Sequence, residues 1–131
     1  MGRPVVHFEI IGSDPAGLRD YYGELFGWEF DTSGPVAEPV SEAGGYGFVE
    51  PREGGIPGGV GGGAGYEGHV VFYVGVADVE AALAQAERLG GTRRMGPAHA
   101  PGAPVVVGHF TDPQGNLIGL AAPATSAGPG A

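Results

Sequence analysis

Pro4–Ile11 (PVVHFEII) is rich in β-branched and apolar residues and reads as a buried strand. Asp14-Pro15 follows, a capping residue and a proline suited to the first helical position. Leu18, Tyr21, Tyr22, Leu25 and Phe26 then recur with the helical period, which predicts a helix with one apolar stripe, and Gly27 stands where a terminating glycine belongs. A new strand is expected from Trp28 to Asp31. The second half runs the same way. His69–Val76 (HVVFYVGV) reads as a strand, Asp78 as a helix cap, and Val79, Ala82, Leu83, Ala86 and Leu89 as a helical stripe ended by Gly90-Gly91.

The two halves superpose as sequence. A shift of 64 carries Asp14 onto Asp78, Leu25 onto Leu89 and Gly27 onto Gly91. Phe48-Val49-Glu50-Pro51 falls on Phe110-Thr111-Asp112-Pro113 at a shift of 62, and Gly54–Gly58 on Gly115–Gly119 at 61. The drift lies in turns, where insertions are tolerated. Each half therefore predicts strand–helix–strand–strand–strand, about residues 4–60 and 66–122 of one domain spanning 1–122. A lone module of this kind leaves an apolar sheet face uncovered, and a second module can cover it. Gly58–Gly65 (GGVGGGAG) is expected to be a flexible connection, and 123–131 a flexible tail.

Composition narrows the chemistry. With no cysteine among 131 residues, disulfides, thiolate metal sites and cysteine nucleophiles are excluded. Fifteen acidic against six basic residues give a net charge of −9, which repels phosphate backbones and makes nucleic acid an unsuitable partner, while it would steer cationic small molecules inward. No apolar run is long enough to span a bilayer and no leader-like segment is recognisable, so the expected location is the cytoplasm, away from membranes. No nucleophile elbow, phosphate loop or dinucleotide fingerprint occurs. Arg88, Arg93 and Arg94 read as surface charge.

The opening HFEI…D…L..YY.ELFGW, the middle GHVVFYVGVADVEAALAQAERLGG and the closing FTDPQGNLIGL together resemble the vicinal-oxygen-chelate (glyoxalase/bleomycin-resistance/dioxygenase) superfamily over about residues 4–122. The resemblance implies an α+β fold: two βαβββ modules forming curled mixed sheets around a cavity, and frequent homodimers. It also implies a divalent metal held by one His or Glu from each of four strands. His7 matches the first of these positions, seven residues before Asp14. The same spacing before Asp78 gives Val71, and the closing carboxylate position is Gly119, with Gly58 its counterpart in the first half. His69 shares a strand face with Val71 but lies roughly 6–7 Å along it. On this register no resident metal is expected. A divalent metal remains the alternative, in a displaced site drawing on His7, Glu9, His69 and His109.

The same resemblance spans lyases, isomerases, dioxygenases and drug-sequestering proteins, so it does not choose a reaction. The leading expectation is a protein that binds a small, partly aromatic molecule near His7, Glu9, Trp28, Gly58, His69, Val71, Tyr73, His109 and Gly119. Trp28 and its neighbours Phe26 and Phe30 offer stacking surfaces, and loss of carboxylates at Gly58 and Gly119 leaves room. The alternatives are a metal-dependent glyoxalase-like lyase, isomerase or dioxygenase with an atypical site, or metal-free acid–base chemistry by His7 and Glu9.

Overall fold

Asp14 and Asp78 open the two helices as the sequence requires. The Asp14 carboxylate accepts from the Gly17 N–H and that of Asp78 from the Ala81 N–H, each at 3.1 Å, satisfying donors that the first helical turn leaves unpaired. In the computed structural model, which describes residues 2–50 and 54–124, these caps start α1 (Pro15–Phe26) and α2 (Val79–Arg88). The strands are β1 (Val5–Gly12), β2 (Gly47–Val49), β3 (Gly58–Gly62), β4 (His69–Gly75), β5 (Thr92–Ala98), β6 (Val105–Thr111) and β7 (Leu117–Pro123). The chain forms two compact units. One runs from His7 to Val70, and the other joins the N-terminal residues up to Val6 to the chain from Val71 onward.

In the first unit β3 is central, parallel to β1 and antiparallel to β2. The Trp28–Asp31 segment is not the strand expected. It contributes one bridge, in which the Asp31 N–H and C=O both pair with Phe48 at 2.9 Å. The chain leaves the ladder at once because the Asp31 carboxylate turns back to accept from the Ser33 N–H at 2.9 Å, and Pro35 follows with no N–H to donate. The glycine-rich stretch is also different from expectation. Gly58–Gly62 is a fully buried strand, and only the residues after it connect onward to β4. Glycine is required there by close approach: a Cβ on Gly58 would enter the Phe8 ring and one on Gly59 the Tyr46 ring.

In the second unit the order is β4-β7-β6-β5, with β4 and β7 parallel and the rest antiparallel. Val79 and Leu83 of α2 pack on Leu120 and Ala122 of β7, with Val74, Val106 and Phe110 around them. Of the predicted stripe, Val79 and Leu83 are buried and Ala82 and Ala86 half-buried, while Leu89 at its end is exposed. The stripe of α1 is more open: Tyr21, Leu25 and Phe26 are more than half exposed. Each of the three strands beneath α1 presents a glycine (Gly12, Gly47, Gly58) on the face that Phe8 shares, so the helix settles on few side chains, Leu18 against Gly12 and Arg19 against Gly47. Of the expected tail, Pro123 ends β7 and residues 125–131 lie outside the described residues.

Candidate functional site

Strand pairing decides which residues share a face. In the first unit Glu9, Gly59 and Phe48 lie in one row across β1, β3 and β2, and Phe8, Gly58 and Val49 in the next, on the opposite face. In the second unit the corresponding row is Tyr73, Gly119 and His109. The partner of Gly119 in the repeat is thus Gly59. The sequence shift assigned it to Gly58, and a slip of one residue turns a strand position to the other face. Nor are these glycines open space. A Cβ on Gly119 would lie 2.5 Å from the Tyr73 ring, just as Tyr46 roofs Gly59.

Both tyrosines carry polar partners. The Tyr46 hydroxyl donates to Glu9 Oε1 at 2.9 Å, and its oxygen lies 2.9 Å from His7 Nε2. With the hydroxyl proton committed to Glu9, His7 Nε2 is the donor to Tyr46, which fixes the tautomer of a neutral ring. Glu9 and Tyr46 are buried. Burial pulls the His7 imidazole down from 6.5 to about 4, so it is neutral near pH 7. In the second unit the Tyr73 hydroxyl is hydrogen-bonded to His109 Nε2 at 2.7 Å, and both residues are buried, as is Val71. His69 is half-buried and its Nδ1 lies 2.9 Å from the Glu67 carbonyl.

This donor set does not suit a resident divalent ion. Val71 and Gly119 offer no ligand atoms, Glu9 and His7 meet through Tyr46, and His109 is held by Tyr73. Within either unit, among the described residues, no three His, Asp or Glu side chains gather as a metal site needs.

Trp28 belongs to a different surface. Gly27, with φ of 74°, caps α1 through its N–H to the Gly23 carbonyl and turns the chain so that Trp28 lies against Phe8, Phe26 and Tyr22, with ring centroids 5.2, 5.0 and 5.9 Å away. Phe30 meets it edge-on at 6.3 Å. Phe8, Phe26, Trp28, Phe30 and Phe48 line a cavity of about 700 Å³, floored by Val49 and Ile56 and edged by Glu29, Asp31 and Glu50. Sequence reasoning singled out Trp28 but missed Phe8 as its neighbour. The signal was present, since Phe8 alternates with His7 and Glu9 and must face away from them.

A family model described as "Glyoxalase/Bleomycin resistance protein/Dioxygenase superfamily" matches residues 5–120. No curated protein matches the sequence. Among solved structures, the chain is similar to a methylmalonyl-CoA epimerase from Streptomyces coelicolor in complex with 2-nitronate-propionyl-CoA, at 15% identity and a TM-score of 0.60, covering 97% of this chain and 99% of that one. It is also similar to the methylmalonyl-CoA epimerase from Mycobacterium tuberculosis, at 14% identity, 92% and 87% coverage and a TM-score of 0.57. An NAD-dependent benzaldehyde dehydrogenase from Legionella pneumophila matches at 12% identity, 89% and 97% coverage and 0.57. At such identities the likeness speaks for the fold and not for a reaction.

Proposed function

Because the chain belongs to the Glyoxalase/Bleomycin resistance protein/Dioxygenase superfamily, whose fold serves both binding and catalysis, we propose that it binds a small, planar, partly aromatic molecule without a resident divalent metal. The observation that carries this reading is the aromatic-walled cavity at Trp28, whose volume of about 700 Å³ falls in the range of small-molecule sites. Loss of donor atoms at Val71 and Gly119, together with the hydrogen bonds that occupy His7, Glu9 and His109, supports the metal-free half of the proposal. The cytoplasmic homodimer expected from the sequence goes with it, and light scattering on the purified chain tests the dimer.

Elemental analysis tests the metal. Untagged protein purified without chelators, and its His7→Ala variant, are expected to carry no stoichiometric divalent ion. About one ion per chain, lost in the variant, would restore a metalloenzyme reading. A second reading, proton transfer without a metal, is favoured by one observation: the chain from His7 through Tyr46 to Glu9. Its signature is turnover that rises as pH passes about 4, where His7 loses its proton, and that disappears in His7→Ala.

A further inference from the structure

We infer that the Trp28 cavity selects an organic cation: a free small molecule with a planar ring system and an alkylated, permanently charged nitrogen. The inference rests on the aromatic-ligand reading above and adds the charge. Three features carry it. The walls are aromatic, with Trp28, Phe8 and Phe26 in mutual contact and Phe30 and Phe48 completing the lining, and aromatic faces attract cations more strongly when water is partly displaced. Among the described lining residues the charged groups are Glu29, Asp31 and Glu50, all carboxylates and all exposed. An anionic ligand would meet these three carboxylates as like charges, whereas a cation would meet them as counter-charges.

Asp31 is set to stay ionised. Hydrogen bonds from the Ser33 side chain and backbone hold Asp31 below the usual carboxylate range. The rest of the protein reinforces the local field, since a net charge of −9 raises the concentration of cations near any cleft lined by acids. The cavity faces the helix-packed side of the first unit: Phe8 and Val49 lie in the row opposite to Glu9 and Phe48. The cavity therefore lies mainly on the face away from Glu9 and adjoins the His7–Tyr46–Glu9 chain at Phe48. Phe48, whose ring reaches both the cavity and the His7 ring, is the contact between them.

Two probes of similar shape separate charge from aromaticity: N-methylquinolinium, a permanent cation, and quinoline, which is neutral at about pH 8. Each is titrated into the full chain at low ionic strength, with calorimetry for affinity and the indole N–H resonance of Trp28, the only tryptophan, for location. The expected result is that both shift the Trp28 resonance and that the cation binds about tenfold tighter. That advantage should shrink in high salt and in the Glu29→Gln/Glu50→Gln variant, whose changes are on exposed side chains. Equal affinities at Trp28 would overturn the charge selection and leave the aromatic reading standing. Silence of Trp28 toward both probes would overturn the two together.

Discussion

His7 shows how a single residue changes role with its surroundings. In β1 its ring is neutral because burial lowers its proton affinity from 6.5 to about 4, and its Nε2 engages a tyrosine that engages a buried carboxylate. The pH consequence has a definite sign. Between about 6.5 and 4 the unfolded chain takes up a proton that the folded chain refuses, so the stabilisation is complete above 6.5 and drains away as pH falls toward 4. The expected loss is about 1–3 kcal/mol. Urea melts at either end of that window measure it, and in His7→Gln the difference should be smaller by that amount. Gly119 makes the opposite point, that an absence of side chain is itself an adaptation. With a Cβ placed 2.5 Å from the buried Tyr73 ring, Gly119→Ala should destabilise by about 1–3 kcal/mol in thermal denaturation, although it adds only one methyl group. An unchanged melting temperature would mean that Tyr73 has room to move.

At the scale of elements, the two helices differ in how firmly they are held. Leu83 of α2 is fully buried in a cluster with Val79, Leu120 and Ala122, so Leu83→Ala should cost about 2–5 kcal/mol. Leu25 of α1 is more than half exposed, and Leu25→Ala should cost well under about 1 kcal/mol. Chemical denaturation of the two variants compares them directly, and equal losses would contradict the asymmetry. The sequence made both helices legible, because caps and period are local properties: Asp14, Gly27 and Asp78 do what their positions require. The depth at which a stripe is buried is not local. It depends on the glycines of the strands below, which the α1 pattern does not contain. The same holds for Trp28–Asp31, where a turn at Ser33 overrides a strand-like run, and for Gly58–Gly62, where a composition suited to a linker is demanded by the rings of Phe8 and Tyr46.

Across the whole molecule, the internal repeat was the strongest signal in the sequence, and the family resemblance read from it is matched by a family model over residues 5–120. The candidate site was only partly legible. Trp28, His7 and Glu9 stood out by residue type, but which of them meet is set by strand register, and a one-residue error moved Gly58 to the wrong face. Register also turns Phe8 and Val49 of the aromatic cavity away from His7 and Glu9, leaving Phe48 as the contact between the cavity and the polar chain. Binding at Trp28 that needs no metal is the function proposed for this protein. The most direct test is calorimetric titration of N-methylquinolinium into the protein before and after dialysis against a strong chelator, with Trp28→Ala in parallel. The expected result is the same affinity on both sides of the dialysis and loss of binding in the variant. Binding that vanishes with the chelator and returns with a divalent metal, or that survives unchanged in Trp28→Ala, would contradict it.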